Sequence, residues 1–338
     1  MNRPGVVSYG LYLPRRWVSA RTIARQFHIP ESVVVQKQGF HGKRVSARAE
    51  MPSAMALSAA RSALSKARRQ GIDPADIGLV AWCGSQWKDY HVWLASAYLQ
   101  DRLHLPKAFA FDLSAMCAGS VFGLSLAKRF LVADGDLRAV LLVGASKESY
   151  LVRPSDSQGR WMDNFADGGW AVVVARDHPK NRILSSEFLS DGSIALMAAE
   201  RNGGARFPTS DAYSRAGRAY LEGLMDEAKF RRIIERVSGR NFETVIRRSI
   251  EKSGLGPADV RLLLLNHMKR SFHTTVLAHV GVDPARSFYL EDFGHTQSAD
   301  QFLALDQALR RGQFSSGPVV MAAAGAGYVW GSTVVQWG

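Results

Sequence analysis

Gly71-Ile72-Asp73-Pro74-Ala75-Asp76-Ile77-Gly78-Leu79-Val80-Ala81-Trp82 recurs in the second half of the chain as Gly254-Leu255-Gly256-Pro257-Ala258-Asp259-Val260-Arg261-Leu262-Leu263-Leu264-Leu265. A repeat of this kind decides architecture before any single motif does, because each copy is one structural unit and two copies pack as a pair. In both copies an amphipathic helix precedes (Ser53 to Arg69; Phe242 to Ser253), and a buried strand follows the Pro-Ala-Asp turn. The match continues downstream. A strand (Ala108 to Leu113; Ser287 to Leu290) runs into an elbow and a helix (Ser120 to Ala133; Asp300 to Arg311), and each copy closes on a strand ending Gly-Ala (Gly144-Ala145; Gly325-Ala326). Unbroken apolar strands such as Ala139-Val140-Leu141-Leu142-Val143 belong to sheets covered by helices on both faces. Two such halves predict an α/β fold, a duplicated five-layered α-β-α-β-α sandwich with one shared core. We place the halves at 1–184 and 185–338. Ser149 to Gly169 reads as an insertion capping the first half. Ser185 to Phe242, with the loop Asn202-Gly203-Gly204, reads as the crossover.

The 338 residues are 46% hydrophobic and 22% charged, the composition of a soluble globular chain. The first residues form no secretory signal pattern, so a cytoplasmic protein is expected. Gln313 to Gly338 carries no charge, but Gly317-Pro318, Gly325, Gly327 and Gly331 divide it into two buried strands around a glycine-rich loop, not a membrane span. Cys83 and Cys117 have neither CxxC nor Cys/His ligand spacing, so neither a disulfide framework nor a metal site is indicated. The net charge of +13 is densest from Lys229 to Arg236 and on to Arg247-Arg248. It forms a solvated helix face or a docking surface for an acidic partner; without basic-aromatic interleaving it does not indicate nucleic acid.

Cys117 stands in Phe111-Asp112-Leu113-Ser114-Ala115-Met116-Cys117-Ala118-Gly119-Ser120, where a buried strand meets an apolar helix. The positive end of a helix dipole favours a thiolate there, and Ala118 and Gly119 leave room for a substrate. Cys83, at the end of a strand, reads as a small core hydrophobe. The aromatic stretch with Trp87, Tyr90 and Trp93 lines a pocket or packs in the core.

These stretches resemble the β-ketoacyl-acyl-carrier-protein synthase III family. Asp112 to Ser120 is similar to its nucleophile motif, Phe165-Ala166-Asp167-Gly168 to its Phe-Gly-Asp-Gly segment, Gly325-Ala326-Gly327-Tyr328-Val329-Trp330-Gly331 to its C-terminal glycine loop, and Lys37-Gln38-Gly39-Phe40 to its Arg-Thr-Gly-Ile segment. The resemblance implies the thiolase fold, a homodimer joined near Ala108 to Phe111, and an acyl-cysteine on Cys117. No tightly bound cofactor is implied; CoA or phosphopantetheine thioesters, presented as acyl-CoA or acyl carrier protein, are substrates. It assigns Gly325, Ala326 and Gly327, with the Cys117 N–H, to an oxyanion hole, and Lys37, Lys269 and Arg270 to the nucleotide end. His267 stands where the family has the His of His-Gln-Ala-Asn, but Met268-Lys269-Arg270-Ser271 follows instead. His295 stands where the family has Asn in Gly-Asn-Thr-Ser.

Two reactions fit. With Asp300 orienting it, His295 acts as general base on an alcohol or amine, and the acyl group moves from Cys117 to a small-molecule heteroatom acceptor, as in the non-condensing acyltransferases of this superfamily. Alternatively Cys117, His267 and His295 carry a decarboxylative condensation with a malonyl thioester. Asp300 also reads as an N-cap carboxylate.

Overall fold

The computed structural model describes residues 4–152, 162–200, 204–206, 208 and 220–338. The strands are β1 (Gly5–Tyr12), β2 (Trp17–Ser19), β3 (Gly42–Arg44), β4 (Ile77–Trp82), β5 (Phe109–Asp112), β6 (Ala139–Ser146), β7 (Gly168–Ala175), β8 (Arg182–Ser190), β9 (Ala199–Glu200), β10 (Leu221–Glu222), β11 (Leu262–Leu265), β12 (Gly317–Gly325) and β13 (Val329–Trp337). The helices are α1 (Ala20–Phe27), α2 (Pro52–Arg68), α3 (Ala95–Arg102), α4 (Gly119–Ala133), α5 (Glu227–Lys252), α6 (Arg270–Val280) and α7 (Asp300–Arg310).

Two mixed sheets carry the fold. The first runs β5-β4-β6-β7-β1 and the second β11-β12-β13-β8, and they touch edge to edge through the single pair Gly5 and Arg182. A parallel bridge from Leu263 to Ser287 occupies the place in the second sheet that β5 holds in the first. Counted in chain order within each half, the strand order is then the same. The sequence repeat is a repeat of topology.

Burial sorts into layers by the alternation of side chains along each strand. On β6, Ala139, Leu141 and Val143 face one hydrophobic cluster with α2 and α3, while Val140 and Leu142 face another with α4 and α7. A third cluster joins the second sheet to α5 and α6. The layers are therefore α2/α3, first sheet, α4/α7, second sheet, α5/α6. Helix α4 is apolar on most sides because it lies between sheets, against β6 and β7 on one side and β8, β12 and β13 on the other.

Several expected boundaries move. The division at 184/185 falls inside β8, which was read as crossover; its residues are mostly half-buried and gave no apolar run to detect. Helix α5 starts at Glu227, not Phe242, since Asp226 caps it by accepting from the Lys229 N–H at 2.7 Å, while Phe230, Ile233 and Ile234 pack on the third cluster. The strand expected over Ser287 to Leu290 reduces to one bridge because Gln313 Nε2 takes the Ser287 carbonyl at 3.1 Å. The uncharged C-terminal stretch forms β12 and β13, paired antiparallel, as expected. Part of the expected cap, 153–161, and Asn202 and Gly203 of the crossover loop lie outside the described residues.

Candidate active site

Two matching elbows meet between the sheets. Met116 (φ 48°) opens a single helical turn, Met116–Ala118, that leads into α4; Gln297 (φ 53°) opens the turn Gln297–Ala299 that leads into α7. Both residues sit in the left-handed region that side chains seldom adopt, the cost of turning sharply out of one strand end into a helix. The elbows are tied across the interface by Ser120 Oγ donating to Gln301 Oε1 at 2.9 Å. In this correspondence the position of Cys117 is taken in the second half by Ser298, whose hydroxyl accepts from Trp170 Nε1 at 3.0 Å. Glycine is required at Gly119, where a Cβ would lie 2.0 Å from the Cys83 carbonyl oxygen, and at Gly325, where it would lie 2.3 Å from the Ala115 oxygen.

Cys117 is half-buried and lies beside His295, near enough to raise that residue's pKa. His295 is 5% exposed, and its Nδ1 donates to Asp300 Oδ2 at 2.5 Å. Asp300 is fully buried at the first turn of α7; its Oδ1 accepts from the Thr296 N–H at 2.7 Å and its Oδ2 also accepts from the His267 N–H at 2.7 Å. One carboxylate thus orients the imidazole and anchors the backbone of the second histidine. Burial pushes the His295 pKa down. The charge of Asp300, then the neighbouring Cys117 and the hydrogen bond to Asp300, outweigh it and hold that pKa well above the ordinary value.

His267 follows β11 and has the opposite electrostatics. Burial, then the nearby positive charge of His295, His273 and Arg270, pushes its pKa well below the ordinary value. Asn164 Nδ2 donates to its Nδ1 at 2.9 Å, which places the ring proton on Nε2, an atom with no partner among the described residues. Phe165 stands edge-on to His295, and the flanking backbone clasps it: the His295 N–H donates to the Asn164 oxygen and the Ala166 N–H to the His295 oxygen, both at 2.8 Å. In the same segment Asp167 accepts from the backbone N–H and hydroxyl of both Ser46 and Ser149, an entirely structural duty.

These groups open into a cavity of about 820 Å³. Its wide end, lined by Phe242, Met268 and Phe272, reaches the surface between α5 and α6, where Thr275 and His279 are exposed. Ala326 and Tyr328 bring the glycine loop to its wall, as do Trp87 and His91 from the aromatic stretch; Trp82 is wholly in the core. Cys83 is buried in the central cluster, and burial pushes its thiol pKa up.

The residues expected at the nucleotide end are on the surface, outside the cavity wall. Lys37 and Lys269 are exposed and do not line the cavity, and Arg270 stacks on Tyr289 at 4.3 Å and pairs with Glu291. Their segment gives the cavity its apolar Met268 and Phe272 instead. Three contributors had no sequence signal: Asn164, which fixes the His267 tautomer; Asn266, whose Oδ1 accepts from the Ala324 N–H at 3.1 Å and ties β11 to β12; and Glu148, which lines the cavity.

Residues 111–192 match the 3-oxoacyl-(acyl-carrier-protein) synthase III family model, and residues 250–337 match the model of that family's C terminal. The β-ketoacyl-(acyl-carrier-protein) synthase III of Symbiobacterium thermophilum is 27% identical over 336 residues, spanning 99% of this chain and 98% of that one. Among solved structures, the priming β-ketosynthase of the R1128 polyketide biosynthetic pathway superposes with a TM-score of 0.86 at 27% identity, over 99% of this chain and 96% of that one. The acyltransferase ChlB3 superposes with a TM-score of 0.82 at 22% identity, over 99% and 98%, a likeness of fold.

Proposed function

Since the chain belongs to the 3-oxoacyl-(acyl-carrier-protein) synthase III family of thiolase fold, we propose that it is an acyltransferase that loads Cys117 from an acyl thioester and delivers the acyl group to oxygen or nitrogen. The observation that carries this reading is the buried His295–Asp300 pair at 2.5 Å, with Cys117 beside the same imidazole. A carboxylate on Nδ1 fixes the tautomer and leaves Nε2 for proton transfer, the arrangement a general base needs.

In the first half-reaction the Cys117 sulfur attacks the thioester carbonyl, and its proton passes through His295 to the departing CoA or phosphopantetheine thiol. In the second, the acceptor O–H or N–H gives its proton to His295 while the heteroatom attacks the acyl carbon. The Cys117 sulfur leaves and recovers that proton, and an ester or amide is released. Acylation removes Cys117 from the groups that raise the His295 pKa, so more of the imidazole is unprotonated and ready to accept a proton when the acceptor arrives. His267 Nε2–H and the N–H groups of Cys117 and the Gly325–Gly327 loop are the proposed oxyanion donors.

The cavity mouth between α5 and α6 adjoins exposed Arg231, Arg232, Arg236 and Arg240 on α5, a face suited to an acidic acyl carrier protein. The acyltransferase is proposed to work as a homodimer joined along edge strand β5.

Intact-protein mass spectrometry tests the reaction. Acyl thioesters of CoA and carrier protein are expected to add the acyl mass to the wild type and not to Cys117→Ala. Malonyl thioester offered to the acyl-enzyme is expected to release no carbon dioxide; formation of a 3-oxoacyl product would establish the condensation with Cys117, His267 and His295 instead.

A further inference from the structure

Among the described residues, Glu148 is a cavity-lining carboxylate near His295 that the mechanism leaves unused. It follows β6 and contributes to the cavity wall beside His295 and Gln297. Ser85 Oγ donates to its Oε1 at 2.7 Å and Gln297 Nε2 donates to the same oxygen at 3.1 Å. Gln297 opens the second elbow, so the carboxylate is anchored to the same rigid turn that leads to Asp300. Among the described residues Oε2 has no donor. Burial raises the Glu148 pKa, while the Ser85 hydrogen bond and the charge of His295 favour the ionised form. No lysine or arginine contributes to the cavity wall among the described residues, although the chain as a whole carries a net charge of +13.

From this fixed, cavity-facing carboxylate in a cavity whose described wall holds no lysine or arginine, we infer that Glu148 selects the acceptor: it receives an amine or hydroxyl group at Oε2 and rejects molecules that bring a carboxylate beside it. The inference rests on the heteroatom-transfer reading and specifies the acceptor class for that same site. An ammonium or hydroxyl donor satisfies the open oxygen, whereas a second carboxylate beside it meets like-charge repulsion in a partly desolvated space.

Two small probes of similar size separate the cases. Acetyl-enzyme is prepared on Cys117 with acetyl-CoA, excess donor is removed, and discharge is followed by mass with ethanolamine or with glycolate. Ethanolamine is expected to discharge the wild type at least about tenfold faster than glycolate at equal concentration. The ratio measured for the same pair in free solution with an acetyl thioester is divided out. In Glu148→Gln, which keeps the volume and loses the charge, the corrected ratio is expected to fall toward one, measured from acetyl-enzyme loaded to the same occupancy as the wild type. A corrected ratio that is the same in wild type and Glu148→Gln overturns the role of Glu148. If neither probe discharges the wild type above the rate of hydrolysis, the acceptor role is also overturned. The underlying reading fails by a different signal, carbon dioxide and a 3-oxoacyl product when malonyl-CoA is added to the same acetyl-enzyme.

Discussion

Asp300 makes three hydrogen bonds with two oxygens, and each has a different beneficiary: the His295 ring, the His267 backbone and the Thr296 backbone. Asp300→Asn keeps the shape and can still accept, but it no longer stabilises an imidazolium. Transfer to the acceptor is expected to fall by about 10²- to 10⁴-fold, read as single-turnover discharge of acyl-Cys117, with an unchanged circular dichroism spectrum. Asp300→Ala is a different experiment, because it strands buried backbone donors. At this scale the sequence was partly readable. Cys117, His295 and Asp300 stand on motif and spacing, and the five-residue separation of His295 from Asp300 spans one turn and brings both to one side of the elbow. Asn164 and Glu148 were not readable, since each acts on a residue far away in the chain and sits in no periodic pattern.

Helix α6 carries a third buried histidine, His273, whose protonation the fold resists. His273 Nε2 hydrogen-bonds Ser287 Oγ at 2.9 Å, and that hydroxyl in turn donates to the Leu263 carbonyl at 2.7 Å, so Nε2 carries the proton. Nδ1 is buried without a partner among the described residues. Burial, followed by the charge of Arg270, lowers its pKa to about 4. The unfolded chain therefore binds the proton at higher pH than the folded one. Stability is expected to drop as pH falls from the unfolded value of 6.5 to about 4, by about 3 kcal/mol for this residue alone. Urea midpoints at pH 7 and 4.5 measure it, and His273→Gln should show a smaller difference between the two. If the variant loses as much as the wild type, His273 is not the source. The elements themselves were legible where period and flanking turns agreed, as for α2, α4, β6 and the β12–β13 hairpin. The start of α5 and all of β8 were not, because an arginine-rich surface helix and a half-buried strand lack the apolar contrast on which such a reading depends.

For the whole molecule, β5 ends the first sheet with an unpaired edge, and Phe109 on it is 47% exposed, stacked on Phe111 and beside Phe130. An apolar edge of this kind invites pairing with a second copy. Sedimentation is expected to give twice the chain mass, and Phe109→Lys to shift the protein toward monomer; a monomeric wild type would remove the dimer from the proposal. The five-layered architecture was legible because a repeat constrains many residues at once. The same repeat sets the two elbows against each other, with Ser120 and Gln301 at corresponding positions; which side chains bond across the pseudo-twofold was not legible, because neither local pattern names its partner.

The thiol sits on one half and its imidazole and carboxylate on the other, with the interface held by hydrogen bonds such as that between Ser120 and Gln301 and by interleaved apolar side chains. Each half by itself is chemically mute. A chain severed between them would regain an acylatable Cys117 only on reassociation, which makes thioester uptake a reporter of reassembly and lets any pressure that parts the halves silence the chemistry without touching a reacting atom.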